Sequence, residues 1–215
     1  MKTIAILSEK GGAGKTTLAV HLAVASQLAG IDAAIIDLDP QASAADWSDR
    51  RGKAPEAVAI PPARLNKLLD ELRANEAGLV LIDTGRDSNN AGYTASQAAD
   101  LVLIPCRVGG FDIRALSRTL DLCKLAQKTP FVVLNGLRPG SKKAEAEARE
   151  LLADLATVAP VIVHERAAYR AASIAAQTAQ ETEPNTEAAA EMQRLFVWVA
   201  KQLNLSAPRS KKAAA

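Results

Sequence analysis

The chain has 215 residues, 48% hydrophobic and 23% charged, with 26 basic against 24 acidic side chains. That is apolar material enough for one real core, and with a mean hydropathy near zero it excludes a disordered or fibrous polymer. A net charge of +2 is too small to mark a nucleic-acid partner by itself. Short apolar runs rich in β-branched residues predict strands at Thr3–Leu7, Ala33–Asp37, Leu79–Asp83, Leu101–Pro105, Phe131–Asn135 and Val161–His164. Helical spacing falls between them: Leu18, Leu22 and Ala25 up to Leu28, closed by Gly30; Leu65, Leu68, Leu69 and Leu72; Leu116, Leu120 and Cys123; Ala148, Leu151, Leu152 and Leu155. Near-continuous apolar strands alternating with amphipathic helices predict an α/β fold, a doubly wound and mostly parallel sheet with helices on both faces. Past Val163 the chain becomes Ala-rich, with an acidic patch at Glu181, Glu183, Glu187 and Glu191. A last helix then carries Met192, Leu195, Phe196, Val199 and Leu203 on one core-facing stripe. One domain over residues 1–205 is expected, and 206–215, with Pro208, Arg209, Lys211 and Lys212, reads as a disordered basic tail.

The apolar runs fall far short of the roughly 18 residues that span a bilayer. Met1-Lys2 leads into an apolar pentapeptide and then Ser8-Glu9-Lys10, which leaves no signal-peptide core, so a cytoplasmic location is expected. Cys106 and Cys123 lack metal-ligand spacing and read as small buried residues in a reducing compartment. In a doubly wound fold ligands sit beyond the carboxyl ends of the strands, which directs attention to the residues after each apolar run.

The strongest such segment is Lys10-Gly11-Gly12-Ala13-Gly14-Lys15-Thr16-Thr17, between a strand and a helix. Gly11, Gly12, Ala13 and Gly14 let backbone N–H groups turn around phosphate oxygens. Lys15 reaches the β and γ phosphates, the Thr16 hydroxyl ligates Mg²⁺, and the helix start at Lys15–Leu18, Thr17 included, adds its positive end. The usual phosphate-loop pattern places glycine five residues before Gly14, where this chain has Glu9. Two lysines in one loop exceed what a triphosphate takes from its own chain. Lys10 therefore either has a separate task or is a solvated surface lysine.

With Ile36-Asp37-Leu38-Asp39-Pro40-Gln41 and Leu81-Ile82-Asp83-Thr84 at later strand ends, the sequence resembles the ParA/MinD family of deviant Walker A ATPases, over about residues 1–175 and within it the small partition-protein group. The resemblance implies ATP and Mg²⁺ as cofactors and slow hydrolysis of ATP to ADP and phosphate. It implies that Lys10 crosses to the nucleotide of a second subunit in an ATP-sandwich homodimer, and that Asp39 positions the attacking water, with Lys10, Lys15 and Asp39 as the catalytic set. It also implies that Asp37, Asp39 and Asp83 join Thr16 around Mg²⁺, the carboxylates through water, and that Asn135 reads adenine. Each carboxylate could instead cap a helix or close a turn, and Asn135 could serve as a cap. The chain departs from many relatives at Gly85-Arg86-Asp87-Ser88, where they carry Pro-Pro, and at Pro105–Asp112, where glycines replace proline. Arg107 and Asp112 there are interface contacts or, respectively, a loop charge and a helix cap.

The function implied is an ATP-dependent partitioning or positioning ATPase. It would dimerise on ATP, bind nucleoid DNA without sequence preference, and hydrolyse ATP when stimulated by a small centromere-binding or adaptor protein carrying the cargo. The cargo is a plasmid, a chromosomal locus, transfer DNA or a protein assembly. A chain starting at its first strand resembles members without an N-terminal operator-binding extension. A MinD-like membrane protein would need a bulky amphipathic anchor, which Ser206–Ala215 does not supply. A small-molecule P-loop kinase or synthetase would have no need of Lys10. Arg166, Arg170, Arg194, Lys201, Arg209, Lys211 and Lys212 are the candidate DNA contacts.

Overall fold

The computed structural model describes residues 1–86, 89–107 and 110–205, with the backbone alone for residues 89 and 110–115. Its strands are β1 (Lys2–Ile6), β2 (Ala33–Asp37), β3 (Glu56–Ala59), β4 (Leu79–Asp83), β5 (Leu101–Arg107), β6 (Phe131–Leu137), β7 (Thr157–Val158) and β8 (Val163–His164). They form one parallel sheet in the order β3-β2-β4-β1-β5-β6-β7, with β8 also pairing β6. The helices are α1 (Lys15–Leu28), α2 (Ser43–Arg51), α3 (Leu65–Ala74), α4 (Asn89–Ala98), α5 (Gly110–Leu125), α6 (Lys142–Leu152), α7 (Ala167–Ile174), α8 (Ala179–Thr182) and α9 (Glu187–Gln202), with a short 3-10 turn at Pro62–Arg64.

Alternation along the strands divides the core into two layers. Ile4, Ile6, Ile35, Leu79, Leu81 and Leu103 face α1 and α9, while Ala5, Ile36, Val80, Ile82, Val102 and Ile104 face the layer containing Leu65, Ala95, Leu120 and Leu152. Both faces are covered, which is why the strand runs are apolar throughout rather than alternating. The final-helix stripe Met192, Leu195, Phe196, Val199 and Leu203 is buried against α1 as expected. Both cysteines are buried thiols, and burial pushes Cys123 up to about 11.

The structure corrects several details. Strand β3 is an edge strand with Val58 45% exposed, and it lacks the apolar density that marks the others. Helix α6 stops at Leu152, so Leu151 and Leu155 stand exposed instead of continuing a buried stripe. Helix α2 buries only Ala44, Trp47 and Ser48, and α4 packs through the small residues Ala91 and Ala95. The acidic patch is not a surface patch as a whole: Glu181 and Glu191 turn inward to basic partners described below. The expectations for Asp87, Ser88, Gly109, the side chain of Asp112 and the 206–215 tail lie outside the described residues. Among the described residues no helix is long and apolar enough to cross a membrane.

Candidate functional site

Strand β1 ends at the sheet centre, and the chain turns through Ser8–Gly14 into α1. Gly12 and Gly14 adopt φ of 73° and 99°, and a Cβ on Gly14 would collide with the Asn135 amide. Only glycine fits there. Lys15 is 7% exposed and folds back over the loop, its Nζ donating to the Ser8 carbonyl at 3.0 Å and lying 3.5 Å from that of Lys10. Glu9, at the position where glycine is usual, lies 3.8 Å from Arg118 on α5. Lys10 borders a small cavity with Ser8, Ala13 and Cys106 over the end of β5.

Next to the loop, β2 and β4 end in register at Asp37 and Asp83, both fully buried. The Thr16 hydroxyl donates to Asp83 Oδ2 at 2.6 Å, while the buried Asp83 Oδ1 has no hydrogen-bond partner among the described residues. Burial pushes the Asp83 carboxyl up to about 7 against the opposing Thr16 bond. An orphaned carboxyl oxygen beside a hydroxyl suits a hard cation, whose charge would favour the ionised form. Among the described residues no three His, Cys, Asp or Glu side chains cluster to hold a metal unaided. The set therefore fits Mg²⁺, which keeps waters and takes phosphate oxygens as ligands, rather than a metal caged by protein.

Asp37 accepts from the N–H groups of Asp39 (2.9 Å), Ala44 (2.8 Å) and Ala45 (3.2 Å), so it serves the start of α2 as a cap from outside the helix. Asp39 is half-buried at the turn, accepts from the Gln41 N–H at 3.0 Å, and presses on Gly85, where a Cβ would meet its carboxyl carbon at 3.2 Å. Gly11, Gly12, Gly14, Lys15, Thr16, Asp39 and Arg86 line a cleft of about 420 Å³ over the loop.

A second cleft, about 350 Å³, continues from Gly12, Gly14 and Thr17 to Asn135, Gly136, Arg107, His164, Glu165, Arg166, Tyr169 and Arg170. Asn135 lies within β6 rather than at its end, and its amide donates to the Ala13 carbonyl at 2.5 Å, tying this wall to the phosphate loop. Behind the wall, Glu191 of α9 accepts from Arg166 (Nη2 at 2.6 Å), His164 (Nδ1 at 2.7 Å and the backbone N–H at 3.2 Å) and the Tyr169 hydroxyl (3.0 Å). Burial would raise the Glu191 carboxyl, but these partners hold it below its ordinary value. Arg166 is thus committed within the chain, and Arg194 lies 3.1 Å from Glu187. Both were candidate DNA contacts. Sequence reading missed Glu191, whose partners lie 22 to 27 residues away with no periodicity to mark them.

Helix α2 is braced to the same side of the molecule. Trp47, Arg50 and Arg51 donate to the carbonyls of Gln177 (3.4 Å), Ile174 (3.1 Å) and Ala176 (3.3 Å), and Arg51 forms a bidentate pair with Glu181 at 2.7 and 2.8 Å. Burial raises Glu181, but Arg51 and Lys53 outweigh it and bring the carboxyl down to about 2. His21 on α1 is 1% exposed, held between the Thr17 carbonyl (2.8 Å) and the Ala179 N–H (3.2 Å), with its ring edge-on to Tyr169. Burial brings it down to about 4, so it is neutral at pH 7.

A parallel sheet whose central strand feeds a glycine-rich loop and a helix, with buried carboxylates at the neighbouring strand ends, is that of a P-loop nucleotide-binding protein. The chain belongs to the CobQ/CobB/MinD/ParA nucleotide binding domain family, which it matches over residues 4–178. It is 34% identical over 184 residues to the "Maintenance of carboxysome distribution protein A" of Gloeobacter kilaueensis, covering 80% of this chain and 83% of that protein. It is 29% identical over 125 residues to "Protein ParA" of Rhizobium radiobacter, covering 57% and 56% of the two. Among solved structures, an ATP complex of a Cyanothece McdA variant superposes with a TM-score of 0.73 at 20% identity, over 98% of this chain and 99% of that one. The MinD cell division protein of Aquifex aeolicus superposes with a TM-score of 0.76 at 19% identity, over 97% and 99%.

Proposed function

We propose that this chain is an ATP-switched positioning ATPase: ATP closes two copies into a sandwich homodimer, the dimer holds DNA without sequence preference, and a cargo-bound adaptor stimulates slow hydrolysis. The observation that carries the reading is the pairing of the buried Lys15 loop with Asp83, whose unpartnered oxygen sits beside Thr16 at the head of α1. A triphosphate in the loop would take the N–H groups of Gly11–Gly14, the Lys15 ammonium and the positive end of α1. Thr16 and Asp83 would hold Mg²⁺, with Asp37 and Asp39 reached through water, and the ion's chemistry there is charge neutralisation on the phosphates. Asp39 orients the attacking water, and Asn135 meets the base in the second cleft. Lys10 acts across the dimer. The likeness to a carboxysome-distribution protein over 80% of the chain, against 57% for ParA, favours a protein assembly over a plasmid as cargo.

Light scattering on a sizing column tests the switch. Wild type should be a dimer with ATP and a monomer with ADP. Lys10→Ala should stay monomeric while keeping its ADP affinity, and Asp39→Ala should remain dimeric long after wild type has turned over. A wild-type mass indifferent to ATP, or a Lys10→Ala protein that dimerises fully, refutes it. DNA retention should require ATP and, for about 6 phosphates neutralised per dimer, fall with salt at a log–log slope of about −5. Retention without ATP, or without salt dependence, sinks the DNA arm.

A further inference from the structure

The second cleft is walled by a stretch with little regular backbone pairing of its own. Strand β8 is two residues long, its pairing with β6 shifts register between Asn135 and Leu137, and the chain then runs through Glu165 and Arg166 into an eight-residue helix. Backbone bonding supplies little beyond the β8 pairing and the Glu165 N–H to the Leu137 carbonyl. The Tyr169 ring packs edge-on to His21, its hydroxyl lies 3.0 Å from the Ala188 carbonyl, and Arg50 donates to the Ile174 carbonyl, but among the described residues Glu191 is the side chain that engages His164, Arg166 and Tyr169 together. Its carboxylate is 2% exposed, and its two oxygens engage the His164 N–H, the His164 ring, the Arg166 guanidinium and the Tyr169 hydroxyl. His164, Arg166 and Tyr169 all line the cleft, whereas Glu191 itself stands behind them.

We propose that Glu191 is the positioning residue for the base-side wall, holding His164, Arg166 and Tyr169 at fixed distances from Asn135 and so setting the part of nucleotide affinity that depends on the base. The inference rests on the nucleotide reading of the two clefts. Two features favour it over a plain buried ion pair. The residues bound all face one cleft, and the Arg166 head, released from Glu191, would stand in that cleft as an unpaired cation. A planar guanidinium and an imidazole that share one carboxylate oxygen are held in one geometry, which suits a wall that must fit a flat ligand. The phosphate loop takes nothing from Glu191, so its contribution should be separable from binding of the phosphates.

Calorimetry with ATP and with inorganic tripolyphosphate, each with Mg²⁺, makes that separation. In wild type ATP should bind more tightly than tripolyphosphate. Glu191→Gln should weaken ATP by about tenfold or more, the loss of roughly one charged hydrogen-bond network, while leaving tripolyphosphate within about twofold. Equal weakening of both ligands, or no weakening of either, would overturn the positioning role. Wild-type ATP no tighter than tripolyphosphate would instead overturn the assignment of the second cleft to the base. Circular dichroism checks that Glu191→Gln folds. If it does not, Tyr169→Phe, which removes a hydroxyl shared between Glu191 and the Ala188 carbonyl and leaves the Arg166 ion pair, should lower the ATP-to-tripolyphosphate affinity ratio by about threefold. An unchanged ratio there counts against the proposal.

Discussion

The two walls of the cleft are made in opposite ways. The phosphate side is local: eight consecutive residues shape a backbone cradle, glycines supply the positive φ angles, and two strand ends deliver carboxylates in register. The other side, which we propose receives the base, is assembled from distant segments by side chains, with Asn135 of β6, His164 to Tyr169, and Glu191 of α9 behind them. The first wall depends on the chain's own conformation and the second on long-range ion pairs. They should therefore fail differently.

The largest expected effect comes from cutting the phosphate wall at its charge. Lys15→Ala should weaken ATP and tripolyphosphate alike by about a hundredfold or more, because a buried cation on two phosphates is worth about 3 kcal/mol. Calorimetry that found tripolyphosphate binding intact would break the division between the walls. Gly14→Ala strikes where they meet, since its Cβ meets the Asn135 amide and its φ is 99°. A loss of about 2 kcal/mol in urea unfolding is expected, together with a lower ATP-to-tripolyphosphate ratio as Asn135 is displaced.

The smallest effect is also the most diagnostic. Asp83, on the phosphate side, is pushed up to about 7, so between pH 6.5 and 5.5 the folded state holds a proton that the unfolded chain lacks, and stability rises on acidification by about 1 kcal/mol. His21 contacts Thr17, Tyr169 and Ala179 toward the other wall and is brought down to about 4. There the unfolded chain takes the proton, and stability falls by about 1 kcal/mol over the same interval. Without nucleotide and with chelator, the wild-type urea midpoint should therefore change little across this interval. It should fall on acidification in Asp83→Asn and rise in His21→Gln, and parallel curves for all three proteins would show that the two groups do not titrate as their burial requires.

The sequence disclosed the local wall and concealed the assembled one for the same reason. Apolar runs such as Leu79–Asp83 and the glycine spacing of Gly11–Gly14 are contiguous patterns with direct conformational meaning. Strand β3 escaped because an edge position leaves Val58 half in solvent, and α2 because its placement comes from Asp37 and from the carbonyls of Ile174–Gln177 rather than from a broad apolar face. Glu191 looked like one acid among several on a polar stretch. Charge alone does not announce which acids turn inward, and of the four in that stretch Glu191 is the buried one. Arg166 and Arg194 show the complementary feature, basic residues whose countercharges lie within the same chain, which a count of basic positions does not reveal.

The capping of α2 by Asp37 has a consequence for variation. The carboxylate closes a ring from the end of β2 to the second and third residues of the helix, and within it the Leu38 N–H donates to the Asp83 carbonyl and the Ala42 N–H to the Asp39 carbonyl. The turn that carries Asp39 thus has a fixed perimeter. An inserted or deleted residue between Leu38 and Ala42 would open the ring or shift Asp39 relative to Lys15, whereas exchanging the exposed Gln41 for another residue leaves it closed. Among natural variants of this chain, that turn should keep its length and Asp39 while its exposed positions drift.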